Sequence, residues 1–229
     1  MTEPADFAPS AENLLLAARE NPVNAALLRR LPALGLPQGF LTAGSLFQAV
    51  WNRLSGRPAA AGVRDYDVFY FDSSDLSWEA EDRVIRRVAE ATADLLPPSD
   101  AAPVASRAAP MPGAPISAAP LSGAPLPAAP VEVRNQARVH LWYRDRFGSD
   151  YPRLGCATDG IDRYLIPCTS VGISLETGAL YAPDGFHDLW AGVLRPNPLL
   201  PDLPLFRRKA ESYRARWSWL RVVEAVDGA

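Results

Sequence analysis

Asp65 and Asp67 stand one residue apart in the segment VRDYDVFYFD, at the start of an apolar and aromatic run. In a β-strand, side chains at positions i and i+2 point to the same face, so the two carboxylates are expected to project together. Like charges at that spacing repel each other, and a strand accommodates them most readily when a cation neutralises the pair. The spacing therefore indicates a site for a hard cation such as Mg²⁺. The alternative, which the DxD pattern alone leaves open, is a strand start that faces water.

Two further segments carry groups that suit the same chemistry. Upstream, the small residues Ala43, Gly44 and Ser45 precede a helical pattern. Glycine lets the backbone approach a ligand closely, and a helix N-terminus presents unpaired N–H groups to anions. Downstream, Glu132 lies between two valines in VEVRN, on a second predicted strand. Phosphates held at the turn and metal ions held by three carboxylates would form a site for phosphoryl transfer.

Hydrophobic periodicity and capping residues predict the elements that position these groups. Strands are predicted at YDVFYF and VEVRN, and a hairpin at VGISLETGALYAP. Residues 1–9 are predicted to be disordered. Helices are predicted to begin near Ser10, at Asn21 with Pro22 in the first position, at Gly44, and at Ser77.

Residues 97–130 interrupt this pattern with a run of Ala, Pro, Ser and Gly that contains no aromatic residue. Such a segment buries too little apolar surface to offset its ordering entropy. We therefore predict a disordered insertion that joins residues 10–96 and 131–229, the two parts of one domain. An arm that binds a groove in the polyproline conformation is the alternative.

The second part of the domain is predicted in less detail. QARVHLWYRDRFG fits a strand or a helix, residues 184–190 fit a short helix, and residues 195–204 fit a loop. Residues 205–220 are predicted to form a basic, amphipathic helix that covers the sheet, with nucleic-acid binding as the alternative. The acidic and imidazole groups of the short helix are interpreted as capping groups rather than as a metal cluster: Asp184, His187 and Asp188.

Four other polar residues are assigned a preferred role. Arg138 is a candidate for pairing with a phosphate of a nucleotide, and a structural ion pair with an acid is its alternative. His140, between two aliphatic residues, is interpreted as a core histidine rather than a base. Asp75 is expected to cap a helix rather than to act in catalysis. Asp72 is a less favoured replacement for Glu132 as the third acid.

Composition limits the class of protein. The chain has 229 residues, 48% of them hydrophobic, and a net charge of −3. No overall positive field would recruit nucleic acid or an anionic membrane. The sequence contains no apolar run long enough to span a bilayer and no recognisable signal peptide. Cys156 and Cys168 do not have zinc-finger spacing, so reduced thiols in a cytoplasmic protein are expected.

Five segments, taken in order, resemble a bacterial nucleotidyltransferase family that was once described as a domain of unknown function. They are TAGSLFQAVWNRLSG, DYDVFYFDSSDLSWEAED, VEVRNQARVHLWY, VGISLETGALYAPDGFHDLW and LRPNP. They cover most of residues 38–198 apart from the Ala/Pro segment. The family is assigned to the DNA polymerase β-like nucleotidyltransferase superfamily. The resemblance implies an α/β (α+β) fold with a mixed sheet, helices packed on it, and a disordered Ala/Pro-rich insertion.

The resemblance also implies roles for the candidate site residues. Gly44 and Ser45 would hold the triphosphate, and Asp65 and Asp67 would bind Mg²⁺ or Mn²⁺. Glu132 would be the third acid of the metal site and would help to activate the attacking hydroxyl. The sequence departs from the superfamily pattern in one place, because the interval between Ser45 and Asp65 is longer than usual.

The leading hypothesis is an enzyme that moves an NMP group from a Mg-NTP, such as ATP, to an acceptor hydroxyl with release of pyrophosphate. The sequence does not identify the acceptor. The first alternative is a nucleotide-binding or regulatory module that has the same fold and no turnover. The second is an interaction protein in which the Ala/Pro-rich arm binds the partner.

Overall fold

The computed structural model describes residues 7–95 and 131–224. Its helices are α1 (Ala11–Glu20), α2 (Pro22–Arg30), α3 (Gly44–Leu54), α4 (Trp78–Thr92), α5 (Val139–Phe147), α6 (Ala157–Asp162), α7 (His187–Ala191) and α8 (Leu203–Arg214). Its strands are β1 (Phe40–Thr42), β2 (Tyr66–Tyr70), β3 (Val131–Asn135), β4 (Gly172–Ser174), β5 (Leu180–Tyr181), β6 (Val193–Leu194) and β7 (Arg221–Val222). No helix in the described ranges is both long enough and apolar enough to cross a membrane.

The main sheet has five strands in the order β3-β2-β1-β4-β5. Strands β2 and β3 are parallel, and the other neighbours are antiparallel. The predicted mixed sheet with helices packed on it is thereby confirmed. Because β2 precedes residues 96–130 and β3 follows them, both parts of the chain contribute to one sheet. The predicted insertion itself lies outside the described residues.

Side-chain caps begin three of the helices where the sequence predicts them. The Ser10 hydroxyl accepts a hydrogen bond from the Asn13 N–H at 3.1 Å. The Asn21 side chain accepts from the Val23 N–H at 3.0 Å, and Pro22 occupies the first helical position. The Ser77 hydroxyl accepts from the Ala80 N–H at 3.2 Å. Each cap satisfies an N–H that the first turn cannot pair internally, which fixes these boundaries locally.

Strand β2 separates a core face from a site face. Tyr66, Val68 and Tyr70 are buried, whereas Asp67 and Phe69 between them remain partly accessible. On the core face, the Tyr66 hydroxyl donates to Asn21 Oδ1 at 3.2 Å, which ties the strand to the start of α2. The alternation of burial with a period of two confirms the predicted strand and leaves Asp67 on the opposite side from the core.

An aromatic cluster positions the C-terminal segment against α3. Trp51 of α3 lies 5.4 Å from Tyr213 of α8 and 5.2 Å from Trp217, centroid to centroid, in edge-to-face geometry. The Trp217 indole N–H donates to Asn52 Oδ1 at 3.2 Å. Such aromatic pairs add to the stability that burial alone supplies, by about 0.5–1.5 kcal/mol each. The cluster therefore fixes the position of α8 relative to α3.

The structure differs from the sequence prediction at several element boundaries. QARVHLWYRDRFG, which fitted a strand or a helix, is a short 3-10 turn followed by α5. The closing helix ends at Arg214 rather than near residue 220, because Trp217 turns into the aromatic cluster and β7 follows. Order begins before residue 10: the Phe7 carbonyl accepts from the Trp190 indole at 2.8 Å.

The capping role expected for Asp184 is wrong. Gly185 has a φ of +67°, a conformation that interrupts a helix, and α7 begins two residues later. Phe186 occupies the cap position, and its side chain makes no capping hydrogen bond. Asp188 lies in the first turn of α7, as its acidic character predicts, and accepts a hydrogen bond from Arg195 at 2.8 Å.

Candidate active site

Strand register brings two of the predicted acids together. Asp67 on β2 is opposite Glu132 on β3 and opposite Thr42 on β1. Directly opposed residues of neighbouring strands share a face of the sheet, and so do residues two apart on one strand. Asp65 precedes β2 and lies two positions from Asp67. The chain leaves β1 at Thr42 and enters α3 at Gly44, so the small-residue turn lies beside the same row.

These groups line a cavity of about 570 Å³. Gly44, Asp65, Asp67 and Glu132 all line it, and a Cβ added at Gly44 would lie 3.7 Å from an Asp65 carboxylate oxygen. The volume falls within the range that accommodates small-molecule ligands and cofactors. Four cationic side chains also line the cavity: Arg64, Arg163, Lys209 and Arg216. Its aromatic lining comes from both halves of the chain: Phe47, Phe69, Tyr143, Phe147, Tyr164 and Tyr213.

The electrostatics of the cavity centre on Asp67. Burial raises the pKa of the Asp67 carboxyl to about 8, with further contributions from the negative charges of Asp65 and Glu132. Lys209 and Arg134 act in the opposite direction and only partly offset these effects. A pKa this high means that the ionised carboxylate of Asp67 is poorly hydrated and close to other negative charges. A bound cation would relieve that excess of negative charge.

The turn that enters α3 has an unusual backbone. Ala43, which caps the helix, has φ +60° and ψ −134°, in a region that residues other than glycine rarely adopt. Gly44 lines the cavity, whereas Ser45 is fully buried and does not. The Ser45 hydroxyl has no hydrogen-bond partner among the described residues. The first N–H groups of α3, those of Gly44 and Ser45, have no acceptor within the helix.

The three acids suit a divalent cation by their donor chemistry. Carboxylate oxygens are the ligands that Mg²⁺ and Mn²⁺ prefer. Glu132 lines the cavity and accepts a hydrogen bond from Arg134 at 3.1 Å. Within residues 7–95 and 131–224, no three His, Cys, Asp or Glu side chains are already close enough to form a metal-binding group. Coordination by all three acids would therefore require side-chain rotation.

Arg138 lies outside this cavity. Its guanidinium forms an ion pair with Glu81, and its Nε donates to the Leu76 carbonyl at 2.9 Å. Glu81 is 3% exposed and also accepts from the Asn135 N–H at 2.8 Å. A buried carboxylate needs such partners, because an unpaired charge in the protein interior is costly. The position of Arg138 favours the structural ion pair over the predicted contact with a nucleotide.

The other polar residues considered in the sequence do not line the cavity either. Asp72 accepts from the Ser74 N–H at 2.9 Å, in a local turn. Asp75 accepts from the N–H of Ser77 at 2.9 Å, so it supports the residue that caps α4. His140 is half-buried, and its Nδ1 atom has no hydrogen-bond partner among the described residues.

Sequence reasoning missed the residues that close the cavity from the C-terminal half of the chain. The Tyr164 hydroxyl shares a hydrogen bond of 2.9 Å with Thr42 Oγ1, and its ring meets Phe69 edge-to-face at 6.0 Å. Burial, together with the charge of Asp67, raises the pKa of Tyr164 well above its ordinary value. Lys209 and Arg216 belong to the segment predicted as a covering helix. Their arrival beside Asp65 and Asp67 depends on tertiary packing.

Comparisons with known proteins identify the family and the fold. Residues 29–98 and 121–222 match the model of a protein family described as nucleotidyltransferase. A solved structure, described as an NMR structure that reveals a CCA-adding enzyme head domain, is similar with a TM-score of 0.64. The alignment has 22% sequence identity and covers 94% of this chain and 97% of the other. At this identity the likeness concerns the fold alone. No curated protein sequence matches the chain.

Proposed function

This chain belongs to the nucleotidyltransferase family, and on that premise we propose that it moves an NMP group from a Mg-NTP to an acceptor hydroxyl and releases pyrophosphate. The family and the fold of a nucleotidyltransferase head domain support nucleotidyl transfer in general. The use of a Mg-NTP, the acceptor hydroxyl and the release of pyrophosphate are the parts that we propose.

One observation carries the proposal: two acids on neighbouring strands, and a third just before one of those strands, line one cavity next to the start of a helix. Asp67 and Glu132 are in register, and Asp65 lies two positions from Asp67. Gly44, at the first position of α3, lines the same cavity. Carboxylates that hold cations and N–H groups that hold phosphates are the two components that transfer of a nucleotidyl group requires.

The proposed roles follow from position. The N–H groups of Gly44 and Ser45, at the positive end of α3, bind the phosphates that will leave. Asp65 and Asp67 would hold a divalent cation, which would neutralise charge on the triphosphate. Glu132, on the far side of Asp67, accepts the proton of the attacking hydroxyl. Ser45 contributes through its backbone, because its side chain is buried away from the cavity.

The chemical step balances with these groups. A bond forms between the acceptor oxygen and the α-phosphorus, and the bond from that phosphorus to the bridging oxygen of the β-phosphate breaks. The acceptor proton goes to Glu132, and pyrophosphate leaves with the electron pair of the broken bond. A divalent cation bound by the aspartates would lower the pKa of the acceptor and stabilise the charge on the leaving group. The protein supplies position and a preorganised charge distribution.

The test is transfer of label from nucleotides in a cell extract. The purified protein is incubated with each α-³²P-labelled NTP and Mg²⁺, and wild type is compared with Asp67→Asn and with Asp145→Asn, a change at an exposed position outside the cavity. We expect one labelled species and pyrophosphate release with wild type and Asp145→Asn, and neither with Asp67→Asn. Binding of Mg-NTP without label transfer to any species would instead favour the non-catalytic nucleotide-binding module.

A further inference from the structure

The sequence contains a single lysine, Lys209, among 23 basic residues, so the other 22 are arginines. This lysine is half-buried on α8 and lines the cavity beside the acids. Its ammonium lies 5.7 Å from the centroid of the Tyr213 ring. Tyr213 is the largest influence on the pKa of Lys209, which is raised, and Asp67 and Asp65 raise it further. Lys209 is therefore cationic throughout the physiological range.

Four basic residues of the C-terminal segment differ in what they face. Arg207 forms an ion pair with Glu224 on the surface, and Arg214 forms one with Glu211. Lys209 and Arg216 face the cavity instead, and neither forms an ion pair within the described parts of the chain. Because no carboxylate lies within ion-pair distance of either cation in these described ranges, both side chains keep hydrogen-bond donors and charge that a bound anion can use.

Arg216 is held at the end of the cavity where α3 begins. Its Nη2 donates to Gln48 Oε1 at 2.6 Å and to the Gly62 carbonyl at 2.8 Å. Its guanidinium lies 4.1 Å from the centroid of the Trp217 ring. Both hydrogen bonds use Nη2, which leaves Nε and Nη1 without a hydrogen-bond partner among the described residues. The guanidinium is fixed by three contacts and still has donors to offer.

Gln48 connects this guanidinium to the helix start. Its side-chain nitrogen would lie 2.7 Å from a Cβ atom added at Gly44, so Gln48 and the first residue of α3 are in contact. The N-terminus of α3 and the side chain of Arg216 therefore meet at one end of the cavity. Both attract an anion, one through its helix dipole and unpaired N–H groups and the other through its full charge. Lys209 extends the same cationic end toward Asp65 and Asp67.

We propose that Lys209 and Arg216 form the polyphosphate-binding end of the cavity, where they contact the β- and γ-phosphates of the NTP and retain the pyrophosphate as it leaves. This inference rests on the proposed function, because it names the group that the same site would bind. An in-line displacement puts the leaving group and the attacking hydroxyl on opposite sides of the α-phosphorus. With pyrophosphate at Lys209, the hydroxyl arrives from the side of Glu132.

The single lysine permits a direct test of contact. Reductive methylation with ¹³C-formaldehyde keeps the positive charge and labels only Lys209 and the α-amino group of the chain. Tripolyphosphate is then titrated into the labelled protein in the presence of a chelator, so that no divalent cation takes part. We expect the Lys209 methyl resonance to shift and saturate while the α-amino resonance stays in place. A Lys209 resonance that does not move, or that moves in parallel with the α-amino resonance, would overturn the proposal.

Affinity for tripolyphosphate, measured by calorimetry, provides the second readout. A charge-assisted hydrogen bond contributes enough that Lys209→Met is expected to weaken binding by about tenfold or more. Arg216→Lys keeps the charge and loses the planar fork, so a smaller loss is expected. Arg214→Met, on the surface of the same helix, is the matched control and should stay within about twofold of wild type. Equal affinities in wild type and Lys209→Met would overturn the proposal.

A double-mutant cycle separates phosphate binding from a simpler role for Lys209 as a counterion of the aspartates. In the Asp67→Asn background, Lys209→Met should still weaken tripolyphosphate binding by about tenfold. If the effect of Lys209→Met disappears in that background, the lysine only neutralises Asp67, and the proposal falls. Failure of nucleotidyl transfer with intact tripolyphosphate binding would reject the proposed function and leave the anion site. Nucleotidyl transfer that is unaffected by Lys209→Met would reject the anion site and leave the proposed function.

Discussion

Asp67 and Glu132 are directly opposed on parallel strands β2 and β3, although the whole Ala/Pro-rich segment lies between them in the sequence. Parallel neighbours require a crossover connection, and here that connection includes α4. The acids are therefore brought together by sheet pairing and not by local sequence. Their proximity raises the free energy of the folded state, since each added negative charge disfavours ionisation of the next.

Asp67 should make the stability of the protein fall as the pH rises. The pKa of its carboxyl is about 8 in the folded protein, against an ordinary value of 3.8, chiefly because of burial. Between these values the folded state binds more protons than the unfolded state, so the free energy of unfolding decreases with increasing pH. In urea titrations without divalent cations, we expect it to drop by on the order of 3 kcal/mol from pH 5 to pH 8.5.

Asp67→Asn removes the titrating group and should remove most of this drop. The variant is therefore expected to be more stable than wild type at pH 8.5 and to lose activity. Asp145→Asn, at an exposed position, is the control and should follow the wild-type curve. Parallel pH dependences of wild type and Asp67→Asn would show that Asp67 ionises without cost.

Mg²⁺ or Mn²⁺ should stabilise wild type by relieving the same repulsion. A ligand that binds only the folded state raises its stability by mass action, and a gain of 1–2 kcal/mol corresponds to a few degrees in melting temperature for a chain of this size. Thermal unfolding at pH 7.5 is measured with increasing metal concentration. We expect a saturable rise for wild type and a much smaller one for Asp67→Asn. An equal rise in both proteins would place the bound metal elsewhere.

Glu132→Gln should reduce the chemical step more than substrate binding. In the proposed reaction Glu132 accepts the proton of the acceptor, a role that typically contributes about 10²–10⁴-fold to the rate. We expect kcat to fall within that range, with the Kd for Mg-NTP changed by only a few fold. Glu90→Gln, at an exposed position on α4, should behave as wild type. A variant with normal kcat and a raised KM would assign Glu132 to binding alone.

The parts of the fold that the sequence predicted are those with local causes. The caps at Ser10, Asn21 and Ser77 act within three residues, and the alternation in β2 is a property of five consecutive positions. The DxD pair is likewise local, which is why it marked the cavity before any fold was known.

Features that depend on distant partners were the ones that sequence reasoning missed or left open. Arg138 has two interpretations until Glu81 is seen beside it, 57 positions earlier in the chain. Lys209 and Arg216 look like surface charges of an amphipathic helix until Trp51 and Trp217 dock that segment on α3. The end of α8 is hidden for the same reason, because burial of Trp217 overrides helix propensity. Only the rarity of lysine in an arginine-rich chain singles out Lys209 in advance.

Ala43→Gly should stabilise the protein. Ala43 has φ +60° and ψ −134°, a conformation that costs a residue with a Cβ about 1–3 kcal/mol. Glycine removes this strain, but the greater conformational freedom of the unfolded chain lowers stability by about 0.5–1 kcal/mol. The free energy of unfolding, measured in urea, is therefore expected to rise by about 1 kcal/mol. Ala89→Gly, at an exposed position within α4, is the control. It should lower the free energy of unfolding by about 1 kcal/mol, because glycine is unfavourable within a helix. Equal losses in both variants would mean that the turn at Ala43 is relaxed.

Arg138→Met should damage the fold and leave nucleotide binding intact. The substitution leaves the carboxylate of Glu81, which is 3% exposed, without its cationic partner. Removal of one partner from a buried pair typically costs about 3–5 kcal/mol, and urea denaturation measures this loss. The double variant Arg138→Met with Glu81→Gln should recover part of the stability, because the unpaired charge is gone. Below the unfolding transition, the Kd of Arg138→Met for Mg-NTP should equal that of wild type. A variant of normal stability that binds Mg-NTP about tenfold more weakly would instead assign Arg138 to the nucleotide.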